Sequence, residues 1–121
     1  DKAERRPFDY IKPKLLRHFW RGAVDGDGWI SFQSSGYWSC GLCGYEMLIR
    51  AFAIYSSLVC KSKANPRKSH NIYQYEVNCG KAELLLKSLY HKSVIYLNRK
   101  YNLYSQIITP SKVHCAQLTF L

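Results

Sequence analysis

Residues 19–28 read Phe-Trp-Arg-Gly-Ala-Val-Asp-Gly-Asp-Gly, a run that closes on two acids and three glycines. Asp25 and Asp27 offer hard carboxylate oxygens, the donors that Mg²⁺ takes together with carbonyl, phosphate and water oxygens. Phosphodiester hydrolysis with such ions requires a water to be activated and a leaving oxygen to be neutralised, and one carboxylate is too few. The spacing supplies a remedy. Gly22 and Gly26 lie four apart, on one side of a helix, with Ala23 beside them. Side chains that small let a second helix approach backbone to backbone, so Gly22, Ala23, Gly26 and Asp25 form a candidate interface. Two copies packed there would bring two carboxylates together where the helices stop.

The elements that must position these acids are legible from periodicity. Leu15, Leu16, Phe19, Trp20, Ala23 and Val24 mark the apolar face of a helix that begins near Lys14, with Pro13 in its first turn and Gly26 and Gly28 at its end. Residues 29–35 alternate, with Ile30 and Phe32 against Ser31, Gln33 and Ser35. Ser35–Gly36 reads as a turn, and 37–43 returns with Trp38, Cys40 and Leu42 inward. After Gly44, residues 46–59 read as a buried helix. Residues 60–79 read as a second hairpin, with Lys61 and Lys63 on one face of its first strand, a basic loop over 65–70, and Tyr73, Tyr75 and Val77 alternating on the return. Helices over 81–91 and 93–108 complete the order α-β-β-α-β-β-α-α. This predicts an α+β domain over 14–108: a four-stranded antiparallel sheet with helices on one face and the other open. Residues 1–13 are an extended lead-in, and 109–121 form a tail without a clear period.

The net charge is +10, and beyond Asp27 three acids face eleven Lys and Arg. An unneutralised field of that sign draws polyanions, and nucleic acid fits it better than a membrane surface. No apolar run approaches the ~20 residues of a membrane span. The open sheet face would carry Ser31, Gln33, Tyr37, Ser39, Lys61, Lys63, Gln74 and Glu76, a set able to read base edges in a major groove or simply to be solvated. Five cysteines without a secretory signal pattern fit a reduced intracellular protein. Cys40 and Cys43 have zinc-knuckle spacing but lack a second pair of ligands at short spacing.

LLRHFWRGAVDGDGWISF resembles the first helix and strand of the LAGLIDADG homing endonucleases. ELLLKSLYHKSVIYLNRKYNLY resembles the closing helices of phage- and intron-type members, and the resemblance covers roughly residues 12–108. It implies an αββαββα half-site with a saddle-shaped sheet, two halves joined through the motif helices, and double-stranded DNA beneath. It implies a metal role for Asp27, with the Gly26 carbonyl assisting Mg²⁺ (Mn²⁺ or Ca²⁺ substituting), and a structural role for Asp25. A basic residue near the scissile phosphate would be Arg99 or Lys100, which the sequence does not separate. The water-orienting polar residue of some members has no obvious equivalent near Gly44–Tyr45.

The expectation is a site-specific, metal-dependent DNA endonuclease half. It would act as a homodimer or, because the chain begins at Asp1, beside an upstream second half. Lys61, Lys63, Arg67, Lys68 and His70 would hold phosphates, while Ser31, Gln33, Ser35, Tyr37, Ser39 and Gln74 would read bases. The alternative is a catalytically silent relative that binds RNA, as a maturase or ribonucleoprotein component, or DNA.

Overall fold

The computed structural model describes residues 10–91 and 98–108, without the side chains at 98, 99, 107 and 108. A 3₁₀ turn at Pro13–Leu15 leads into α1 (Leu16–Asp27), followed by β1 (Gly28–Phe32) and β2 (Trp38–Gly44). Then come α2 (Glu46–Cys60), β3 (Arg67–Ser69), β4 (Ile72–Asn78), α3 (Cys79–Tyr90) and α4 (Asn98–Ile108). The strands pair antiparallel in the order β1-β2-β4-β3, and the element order is the predicted one.

Strand parity decides which residues meet the helices. Ile30 pairs with Cys40 and Cys40 with Val77, while Leu42 pairs with Tyr75. All five are buried on the helix side with Trp38. Helix periodicity supplies Trp20 and Val24 from α1, Ile49 and Phe52 from α2, and Leu85, Leu86 and Leu89 from α3. Each large apolar side chain removed from water in this way contributes about 1.5–3 kcal/mol. Leu84 is half exposed because it falls on the outer face of α3.

Two local expectations shift. The β1–β2 connection occupies residues 33–37, closed by Gly36 N donating to the Gln33 carbonyl and Gln33 N donating to the Tyr37 carbonyl. Ser35 and Tyr37 therefore lie in a loop; Gly36, at φ 95°, is what lets it turn. The second hairpin is also shorter than predicted. Residues 61–66 form no strand, so Lys61 and Lys63 leave the sheet, and Lys61 instead ends α2 in the left-handed conformation. Its first strand is Arg67–Ser69, inside the stretch read as a loop, and His70–Asn71 make the turn, with His70 at φ 57°. A register set by Tyr73, Tyr75 and Val77 facing the core leaves Arg67–Ser69 as the residues able to pair. The predicted final helix starts at 93, and residues 92–97 lie outside the described residues; α4 is described from Asn98.

Burial raises the thiol of Cys40 and the hydroxyls of Tyr55, Tyr75, Tyr90 and Tyr104 above their ordinary pKa ranges, and a bond to Asp25 adds to the rise at Tyr90. The unfolded chain releases these protons first, at about pH 8.5 for thiol and about 10 for phenol, so the unfolded state binds fewer protons above those values. Stability is therefore intact below about pH 8 and falls as pH rises further. Urea midpoints should drop between about pH 9 and 11, with several tyrosines ionising in ultraviolet titration only as the chain unfolds. A midpoint unchanged to pH 11 contradicts this account.

Candidate nucleic-acid interface and metal-binding junction

The two acids of the run have different surroundings. Asp27 is the last residue of α1 and is exposed. Asp25 is half-buried, and its carboxylate accepts a 2.5 Å hydrogen bond from the Tyr90 hydroxyl on α3. Gly28 follows, its backbone extended, and its amide donates to the Val24 carbonyl. A Cβ at this position would stand 2.5 Å from the Gly41 carbonyl oxygen and 2.9 Å from Val24 Cα. Both obstacles are backbone. The last glycine of the run is thus required by the close approach of helix end and strand.

Lys100 of α4 binds this junction. Its ammonium is buried and donates to three carbonyls: Val24 at 2.5 Å, Asp25 at 3.0 Å and Gly28 at 2.7 Å. The C-terminus of a helix carries partial negative charge and orphan carbonyls, and a lysine supplies three donors and a full positive charge. Of the pair Arg99 and Lys100, the structure brings Lys100 to the junction; the Arg99 side chain lies outside the described residues. The Gly26 carbonyl is not among those Lys100 takes. A cleft of about 270 Å³ lined by Gly28, Trp29, Ile30, Lys100 and Leu103 opens beside it.

Among the described residues no three His, Cys, Asp or Glu side chains cluster as a metal site. The donor type fits Mg²⁺ all the same: an exposed carboxylate and main-chain oxygens suit an ion that keeps several waters and takes phosphate oxygens. Zinc does not fit. Cys40 and Cys43 are three apart on β2 and point to opposite sides of the sheet, Cys40 fully buried and Cys43 donating to the Asp27 carbonyl.

On α1, Gly22 and Gly26 are exposed, and a Cβ placed on either meets none of the described residues within 4 Å. Ala23 is half-buried beside them. Arg21 is buried and donates to the Leu89 carbonyl at 3.1 Å. Arg17, one turn earlier, donates to the carbonyls of Ser88 and His91. Both guanidiniums therefore serve the end of α3. Burial and Arg17 lower the pKa of Arg21, and Asp25 opposes the shift.

The sheet face away from the helices carries three cross-strand rows. Ser31 and Ser39 lead to Asn78; Cys43 and Gln74 lead to Arg67; Trp29 and Gly41 lead to Glu76. Ser39 is fully buried, and its hydroxyl is held by Ser31 at 2.8 Å and by Gln33 Nε2 at 2.9 Å. This corrects its expected exposure to bases: Ser39 fixes Gln33 and Ser31 rather than presenting its own hydroxyl. Ser35, Lys61, Lys63, Arg67 and His70 are exposed, and Tyr37 and Gln74 are half-buried. Lys68 pairs with Tyr73 on the opposite side, its ammonium 6.0 Å from that ring's centre.

Trp29 was missed as a residue of this face. Its indole lies over Gly41, where an added Cβ would come within 2.2 Å of the ring, and Nε1 donates to Glu76 at 2.9 Å. The signal was present: Trp29 shares parity with Ser31, opposite a glycine.

The fold defines the class: an α+β domain with an open four-stranded antiparallel sheet. No family model matches the sequence, and no curated protein does. Among solved structures, the chain is similar to the homing endonuclease I-CvuI, crystallised on the I-CreI target with 2 mM Mg and with the DNA not cleaved. The TM-score is 0.53 at 16% identity, over 79% of this chain and 65% of that one. The likeness is one of fold, and this chain spans about two thirds of that chain's length.

Lys100→Met should destabilise the chain by at least about 1.5–3 kcal/mol, the scale of one charge-assisted hydrogen bond lost from a buried site. Urea denaturation measures this, and an unchanged midpoint would remove Lys100 from the junction.

Proposed function

We propose that this chain is one half of a site-specific, divalent-metal-dependent endonuclease that cuts double-stranded DNA. It acts as a homodimer or beside a second half joined to it. The observation that carries this reading is the junction itself: an exposed Asp27 carboxylate at the end of a helix whose Gly22–Gly26 side meets none of the described residues. A second motif helix laid on that side would set two such carboxylates together.

Asp27, with the Gly26 carbonyl, would hold Mg²⁺, which when bound supplies a more acidic water and positive charge for the leaving oxygen. Lys100 holds the helix end that aims Asp27 and adds positive charge beside it, so its role is to position. Asp25 is occupied by Tyr90 and keeps α1 on α3. Arg67, Lys61, Lys63 and His70 would contact phosphates from the exposed edge and loops, while Gln33, Ser31 and Gln74 would meet base edges. The fold shared with an endonuclease crystallised on DNA supports this arrangement.

A silent nucleic-acid binder is the second reading, favoured by the engagement of Lys100 with three carbonyls. Selection from a randomised duplex library, followed by incubation of the recovered duplexes with Mg²⁺, separates the two. The wild type should cut, and Asp27→Asn should cut at least about a hundredfold more slowly, the scale of losing one charge-stabilising group, with binding retained. Binding without cutting by the wild type removes the enzyme reading. Cutting that survives Asp27→Asn removes the site.

The assembly has its own test. Gly22→Leu should leave the melting temperature nearly unchanged, because no described residue occupies that space, while light scattering shows loss of the dimer on DNA. A dimer that survives Gly22→Leu places the interface elsewhere.

A further inference from the structure

A second cationic site lies on the helical side, where no strand contributes. A cleft of about 520 Å³, within the range of pockets that enclose small organic groups, is lined by residues of the 3₁₀ turn and α1 (Pro13, Lys14, Arg17), of α2 (Tyr55, Val59) and from the end of α3 (Lys87, Ser88, His91). Its lining holds three permanent cations and a histidine, and no acid among the described residues. Glu83, one turn before Lys87 on α3, feels that charge but does not line the cleft.

The cations divide by what already holds them. Arg17 is tied to the α3 end through Nη1, which makes both of its carbonyl bonds, so its guanidinium is fixed at the cleft wall. His91 shares Nδ1 with the Tyr104 hydroxyl at 3.3 Å. Lys14, from the 3₁₀ turn, and Lys87, from α3, are exposed. The same lining is apolar and aromatic at Pro13, Val59 and Tyr55, whose hydroxyl is anchored on Ser88 at 3.1 Å. A lining that joins apolar and aromatic surface to cations matches a ligand with a flat apolar part and a phosphate. A duplex keeps its bases stacked inside, whereas a single strand can place one in a recess.

We propose that this cleft binds a single-stranded nucleic acid segment, with a base against Tyr55 and Val59 and adjacent phosphates on Lys14, Lys87 and Arg17. The site is separate from the sheet, so the inference stands whether or not the sheet cuts DNA.

Fluorescence anisotropy of the full chain with a labelled oligouridine, a labelled oligothymidine and a random-sequence duplex, each over a series of salt concentrations, tests it. Lys14→Gln together with Lys87→Gln should weaken single-strand binding roughly tenfold and reduce the magnitude of the salt slope by about 1.4, two contacts at about 0.7 each. Duplex affinity should be unchanged, as should the melting temperature. Tighter binding of the uridine strand identifies RNA as the ligand, and tighter binding of the thymidine strand identifies single-stranded DNA. Photocrosslinks from a thiouridine in the strand should fall on Pro13, Tyr55 or Val59. Wild-type affinity and slope in the double variant, crosslinks confined to the strands, or an equal loss of binding to phosphatidylserine vesicles would overturn the proposal. A duplex that fails to bind the wild type, with single-strand binding intact, counts against the sheet's proposed role and leaves the cleft in place.

Discussion

The ammonium of Lys100 closes on the carbonyls of Val24, Asp25 and Gly28, and the rest of the candidate site hangs from that closure. A helix that stops against a strand leaves carbonyls with no amide partners and a partial negative charge at its end. Here the end is also where a carboxylate must be offered outward. A buried cation at the base of the junction neutralises the helix end, satisfies its oxygens and leaves Asp27 exposed. The glycine that follows is required by the same closeness, since backbone atoms of Val24 and Gly41 fill the space a side chain would need.

The same device recurs at the end of α3. Arg17 and Arg21, one turn apart on α1, donate to carbonyls at the end of α3, and Tyr90 from that end reaches back to Asp25. Helices α1 and α3 are thus tied by polar bonds in both directions, beneath the apolar packing of Trp20, Val24 and the α3 leucines. The ties also revise the meaning of the net charge. Part of the positive excess is committed to helix ends inside the molecule, and the field available to a polyanion comes from what remains: Arg67 and the loop cations near the sheet, Lys14 and Lys87 on the helical side. The open face itself is less simply cationic than its composition suggests, because Trp29 covers Gly41 and holds Glu76 at its centre.

Much of the fold was legible in the chain. The spacing of Leu16, Phe19, Trp20, Ala23 and Val24 could only be a helix, and the alternation through Ile30, Cys40, Leu42, Tyr75 and Val77 assigned the inward face of the sheet correctly. What failed were places where short-range pattern is weak. Lys61-Ser62-Lys63 alternates like a strand yet has no partner, because the pairing of β4 is set by its own core-facing residues and reaches only Arg67–Ser69. Ser39 looked like a surface hydroxyl and is sealed beneath Ser31 and Gln33, a consequence of cross-strand neighbours that periodicity cannot name.

The sequence by itself determined the order of elements, the inward side chains and the presence of two acids at a helix end, because periods of 3.6 and 2 are properties of neighbouring residues. The tertiary structure decided how those acids differ and which cation stands beside them. Lys100 lies 76 residues beyond Val24 and Tyr90 lies 65 beyond Asp25, and no local pattern carries information across such distances. The division of labour between Asp25 and Asp27 is set by where α3 and α4 pack.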